Sequence, residues 1–212
     1  VLLKEIWRYP VKSMRGERVT AATVGPLGIE GDRVVHAEDR RGRTATARTH
    51  PRLLGHQAVL GDDGEPRVDG RLWTERAVTH EVEAIVGAGA KLIRDDGADR
   101  FDILPLLIAT DGAIEAFGYD GRRLRPNLVI GGVPGLAERG WEGARLQIGE
   151  VVIGVADLRG RCVMTTFDPD TLAQDVGVLR SIVERFDGRL ALNAHVVKGG
   201  LLREGDDVVV SA

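Results

Sequence analysis

The stretch from Leu158 to Thr171, LRGRCVMTTFDPDT, holds the only cysteine of the chain, Cys162, with Arg159 and Arg161 before it and two threonines after it. A thiolate ligates soft metals or attacks electrophiles, and nearby guanidiniums stabilise that charged form. Strand alternation sets Arg161 on the face opposite Cys162 unless the chain bends there. A lone cysteine serves equally well as a small buried hydrophobe. On the residues alone, ligand, nucleophile and core filler all stand. Asp168 and Asp170 read first as turn and helix-cap residues in Asp-Pro-Asp-Thr, and second as a proton relay.

Three other segments place polar groups where strands begin or end. RYPVKSMRG puts Lys12 and Ser13 at a strand end, GDRVV projects Arg33 from a turn, and LRPNLVIGG sets Arg125 and Asn127 beside Pro126 at a strand entrance. Each alone fits a solvated surface; together they fit an anion cradle. The five histidines form no i,i+4 pair and no H-E-x-x-H, and His195 sits in a strand-like run with nothing to mark it as a base. Neither G-x-G-x-x-G after a strand nor G-x-x-x-x-G-K occurs, which disfavours nucleotide binding by those loops. One cysteine cannot form an internal disulfide or a multi-cysteine metal site.

The elements that must position these groups are mainly strands. LLKEIWRYPV, RVTAATVG, GDRVVHAED and RTATAR alternate apolar and polar residues at period 2. AVLGDDGEPRVDGRLWTE predicts reversals at Asp63-Gly64 and Asp69-Gly70. Three helices are predicted: one from a Thr79 cap with Val82, Ile85 and Val86 inward, one from Thr110 or Asp111 to near Gly118, and one over TLAQDVGVLRSIVERF. The last has a stripe of Leu172, Val176, Leu179, Ile182, Val183 and Phe186 that would pack across a barrel. A weak repeat, GARLQIGEVV at 143–152 and GGLLREGDDV at 199–208, reads as two turns that each launch a strand.

Composition bounds the rest. The chain has 212 residues, 43% hydrophobic and 29% charged, with a net charge of -3, the profile of a globular protein with a core of its own. The longest apolar run, ILPLLIA, is too short to span a bilayer, and the N-terminal residues lack signal-peptide features, so the expectation is a cytoplasmic protein without membrane anchor. The slightly acidic balance disfavours nucleic acid. Arginine far outnumbers lysine, 25 to 4. A GC-rich genome accounts for that bias, and oxyanion binding is the functional alternative.

In chain order, YPVKS, GDR, TARTHPRL, RPNLVI and RCVMTTFDPDT resemble the motifs of the MOSC family, nearest to the branch of the amidoxime-reducing components and their bacterial relatives. The resemblance covers essentially the whole chain. It implies a mainly β protein with some α: a β-rich N-terminal MOSC domain over 1–80, interlocked with a MOSC β-barrel over 81–212 and a few flanking helices. It implies molybdenum cofactor, a pterin dithiolene bearing a phosphate, with Cys162 as the metal ligand, consistent with soft-ligand chemistry. Lys12, Ser13 and Arg33 then correspond to contacts with pterin and phosphate, Arg125 and Asn127 to pterin neighbours, Thr110 to a hydroxyl contact, and Arg48 and Arg161 to further cofactor contacts.

The implied activity is two-electron reduction of N-hydroxylated small molecules with loss of water. With no cysteines left for an iron-sulfur cluster, electrons would come from an external flavin, haem or ferredoxin-type donor. The alternative is a cofactor carrier or sulfur-handling module; no feature of the chain supports pyridoxal phosphate. Leu172 stands where the family pattern has glycine, and Met14 after the Lys-Ser pair is a second departure.

Overall fold

The computed structural model describes residues 1–211. Its largest sheet has eight strands, in the spatial order Val208–Ser211, Arg145–Ile148, Val151–Gly160, Arg189–Lys198, Leu106–Thr110, Leu128–Gly131, Leu2–Arg8 and Glu17–Val19. All neighbours are antiparallel except Leu106–Thr110 and Leu128–Gly131, which run parallel. Parallel neighbours need a crossover, and a helix, α1, supplies it over Asp111–Phe117. A small sheet of Gly200–Arg203, Ala21–Gly25 and Gly28–Ile29 closes over the large one, and the apolar faces of both share one core through Leu3, Val24, Ile108, Ile130, Ile153 and Leu202. This is the expected β-barrel.

The strand Leu2–Arg8 shows how local irregularity serves the core. Strict alternation would bury Leu3 together with Glu5. A bulge between these two residues rephases the strand, so Leu3 and Ile6 are buried instead. The same strand comes from the chain's beginning but pairs with Leu128–Gly131, so the two halves of the sequence share one sheet.

A second core lies under two three-stranded sheets formed by residues 35–45 with 91–94 and by residues 58–72. The predicted reversal at Asp69-Gly70 is there, with φ of 49° and 81° joining Pro66–Val68 to Arg71–Leu72 as a tight hairpin. The helix over this core runs Arg76–Val86, starting ahead of the expected Thr79 cap. Thr79 lies inside it, its N–H already bonded to the Glu75 carbonyl at 3.1 Å. The expected division at residue 80 falls within this helix.

The third core joins α1 to a C-terminal helix at Val176–Phe186. Here Thr110 caps α1 as expected, accepting from the Ala113 N–H at 3.1 Å, and left-handed Gly118 ends it. The C-terminal helix differs from expectation. Asp175 caps it, and its buried stripe is Val178, Ile182 and Phe186, while Val176 and Val183 face outward. Residues 168–175 form a turn rather than a first helical turn, because Asp168 Oδ1 draws in the N–H groups of Asp170 and Thr171 at 3.1 and 2.9 Å. The sequence repeat also divides: its first copy is a hairpin around Gly149, whereas the strands of its second copy, Gly200–Arg203 and Val208–Ser211, lie in different sheets.

Candidate functional site

Between the barrel and the second core lies a cavity of about 390 Å³, lined by Lys12, Ser13, Arg33, Arg48, Arg125, Asn127, Arg161 and Cys162. Of the site residues expected from sequence, Thr110 alone stands apart. It is fully buried as the helix cap, and its hydroxyl is 3.3 Å from buried Glu138, whose carboxyl burial pushes up.

Three of the lining residues, Ser13, Arg33 and Arg125, have left-handed backbones with φ of 69°, 55° and 56°. Glycine adopts that conformation freely, while other L-residues are strained in it by about 1–2 kcal/mol. The cavity wall thus holds three of the seven non-glycine residues with a left-handed backbone among the described residues. Ser13 Oγ accepts the Ala47 N–H at 3.0 Å and ties the 46–50 loop to the cavity floor.

Asn127 and Asp32 organise the rim. Asn127 spends its whole amide on the protein: Oδ1 accepts from Leu107 N at 3.1 Å and Arg33 at 3.3 Å, while Nδ2 donates to Trp7 O at 3.3 Å and Asp32 at 3.2 Å. With two donors and two acceptors engaged, it positions neighbours. Asp32 is wholly buried and also accepts from the Tyr9 N–H at 2.7 Å and from the Arg33 guanidinium.

Cys162 sits where the strand Val151–Gly160 ends and the chain bends. It precedes a single 3-10 turn, Val163–Thr166, and is partly exposed. The paired threonines stabilise this turn: the Thr165 hydroxyl donates to the Cys162 carbonyl at 2.9 Å, and that of Thr166 to the Val163 carbonyl at 2.7 Å. The bend brings Arg161 to the same cavity as the thiol. Arg48 lines the same cavity as Cys162. Burial would lower the Arg48 pKa, but the neighbouring Cys162 and Asp102 raise it above its ordinary value.

The electrostatics are lopsided. Seven cations line the cavity (Lys12, Arg33, Arg48, Arg123, Arg125, Arg159 and Arg161) against one carboxylate, Asp102. Asp102 lies 2.9 Å from Lys12, 2.5 Å from Arg48 and 3.6 Å from Arg159. Arg161 donates to the Leu124 carbonyl at 2.7 Å but keeps a buried Nε–H without a partner. Burial pulls both Arg125 and Arg161 down to about 10. An enclosed excess of cations, some with unspent donors, fits a polyanion. Asp102, Arg123 and Arg159 were not among the expected cofactor contacts. In the sequence Arg159 stands out only as a neighbour of the thiol, and Asp102 gains its role only where Lys12, Arg48 and Arg159 converge on it.

Fold and site together define a β-barrel protein with a cation-lined cavity and a thiol at its wall. The models of the MOSC N-terminal beta barrel domain and of the MOSC domain match residues 1–95 and 111–209, and the chain belongs to the MOSC family. It is similar to human mitochondrial amidoxime-reducing component 1, 24% identical over 227 residues that cover 79% of this chain and 66% of the relative. Mitochondrial amidoxime reducing component 2 of Macaca fascicularis is 24% identical over 225 residues, covering 79% and 67%. The chain thus spans about two thirds of the length of these relatives. Among solved structures, the YuaD protein from Bacillus subtilis shares the fold with a TM-score of 0.55 and 13% identity, over 99% of this chain and 94% of that one. Among the described residues no helix is long and apolar enough to cross a membrane.

Proposed function

We propose that this chain binds molybdenum cofactor through Cys162 and reduces N-hydroxylated small molecules by two electrons, with loss of water. The observation that carries the reading is the single thiol in a cavity ringed by seven cations. The donor set fits the cofactor: a thiolate suits a metal that also carries dithiolene sulfurs, and the unpartnered guanidinium donors suit a phosphate. Bound there, the cofactor supplies the redox centre.

The chain's own residues bind and orient. Lys12, Ser13, Arg33 and Arg48 offer donors from the second-core side, while Arg125, Arg159 and Arg161 offer charge from the barrel side. Arg48 and Arg161 share the cavity with Cys162 and place positive charge on the wall that holds the thiol. Asp102 holds Lys12 and Arg48 in place until an anion competes for them. Asp168 and Asp170 are committed to the turn and to Arg123 and Arg122 at 3.0 and 2.6 Å, which favours their turn role over a proton relay. Electrons come from an external donor protein.

The test is elemental analysis and benzamidoxime turnover of protein made in a cofactor-producing host, with reduced methyl viologen as donor. Near-stoichiometric molybdenum and turnover in the wild type, both lost in Cys162→Ser, support the reading. Equal molybdenum in the two proteins would sink the ligand assignment. Metal without turnover would instead favour a cofactor carrier.

A further inference from the structure

A second cavity, of about 220 Å³, backs onto the first and shares Arg123, Arg125 and Met164 with it, but it excludes Cys162. We propose that it is a binding subsite for a planar aromatic molecule bearing a carboxylate. Trp7 and Phe167 line it with aromatic side chains, while the buried Tyr9 ring carries Arg125 at 4.3 Å. The Trp7 indole is fixed by its N–H donating to Glu5 at 2.7 Å, so its face rather than its polar edge is what it offers a ligand.

The lining guanidiniums divide into spent and unspent. Arg122 is saturated by Asp120 and Asp170 at 2.7 and 2.6 Å, and Asp170 is the only carboxylate on this wall. Arg123 pairs with Asp168 at 3.0 Å and Arg15 donates to the Gly55 carbonyl at 2.7 Å, so these two are spent in part, but each keeps a buried Nε–H without an acceptor. Arg125 lines the cavity, enters no ion pair among the described residues and lies 4.3 Å over the Tyr9 ring. Unspent donors beside aromatic faces match a flat ring with an anionic substituent. The volume lies below the ~300–1,000 Å³ of drug-sized sites, which limits the occupant to one or two fused rings.

As the place where an aromatic substrate lodges beside the cofactor cavity, this subsite rests on the proposed reduction; as a binding site it does not. The test is calorimetric titration of the cofactor-free protein with 2-naphthoate. Saturable binding is expected, weakened about tenfold by Trp7→Leu and likewise by Arg15→Gln, with 2-naphthylmethanol about tenfold weaker than the acid. Arg15→Gln keeps the question answerable should Trp7→Leu fail to fold. Absence of binding, or equal binding of acid and alcohol, overturns the proposal. Lys12→Gln alters only the first cavity: unchanged naphthoate affinity supports the second as the site, and loss of binding overturns it. Binding that vanishes on cofactor loading also overturns it, because the second cavity is then an extension of the first. Lack of molybdenum in the wild type would sink the reductase reading and leave these titrations standing.

Discussion

Arg122 and Arg125 are three residues apart and meet opposite environments. Arg122 is gripped by Asp120 and Asp170, and those hydrogen bonds raise its pKa further above the ordinary value. Arg125 has only an aromatic ring for company, a left-handed backbone, and a guanidinium that burial pulls down to about 10. The first arrangement is complete in the folded chain. The second costs folding free energy, and an anion seated beside it would offset that cost. The cavity wall is therefore where this fold holds charge that its own carboxylates do not balance.

The same division separates two aspartates and yields the largest expected effect. Asp32 is wholly buried and holds Tyr9, Arg33 and Asn127 at once, so Asp32→Ala strands three donors and should cost about 3–5 kcal/mol in urea unfolding. Asp170→Asn breaks an exposed pair with Arg122 and should leave the unfolding midpoint almost unchanged. Equal losses in the two variants would erase the distinction between rim and surface.

Arg125→Gly should act in the opposite sense. It removes a buried cation without an ion pair and relieves the left-handed backbone, offset in part by the entropy of glycine in the unfolded chain. The cofactor-free protein should gain about 1 kcal/mol while retention of molybdenum falls. A variant that loses both stability and metal would place Arg125 among the folding contacts.

How far the sequence reveals this division depends on which forces act locally. The barrel strands and the Asp69-Gly70 reversal follow from alternation and turn chemistry, both written in neighbouring residues. The bulge after Leu3 does not, because pairing with Leu128–Gly131 decides it. For the C-terminal helix the expected stripe is right at Ile182 and Phe186 but not at its edges: Val176 and Val183 have the spacing yet point to solvent, since packing against Phe117 and Leu124 selects Val178 instead. At the site, Cys162 and its motif partners were legible through a family resemblance, and local chemistry left them ambiguous. Asp102 carried no signal, because its role exists only where three distant cations meet.

Asp102 gives the next effect in size, with a pH signature. Burial acts to raise its carboxyl, but Lys12, Arg48 and Arg159 overcome this and hold it below the ordinary 3.8. A depressed carboxylate adds stability above its unfolded value and loses it as pH falls through the folded one. Asp102→Asn should therefore cost about 1 kcal/mol at pH 7, and the gap to wild type should close as pH drops below 3.8. Urea midpoints at pH 7 and pH 3 measure this, and a constant gap would contradict it. The same variant should tighten anion binding in the first cavity, since Asp102 competes for those cations.

The smallest effect tests whether strain marks function wherever it occurs. Leu172 also has a left-handed backbone, with φ of 60°, at the position where the family pattern has glycine, yet it lines neither cavity. Its side chain packs toward Gly55, whose added Cβ would lie 3.2 Å from a Leu172 methyl. Leu172→Gly relieves about 1–2 kcal/mol of backbone strain. It also loses this packing and adds about 0.5–1 kcal/mol of unfolded-state entropy, so opposing terms of similar size leave the melting temperature within about 2 °C of wild type. Molybdenum content should be untouched, in contrast to Arg125→Gly at a backbone of nearly the same φ. Loss of metal in both variants would mean that the turn geometry itself holds the cofactor; loss in Arg125→Gly alone assigns binding to the guanidinium.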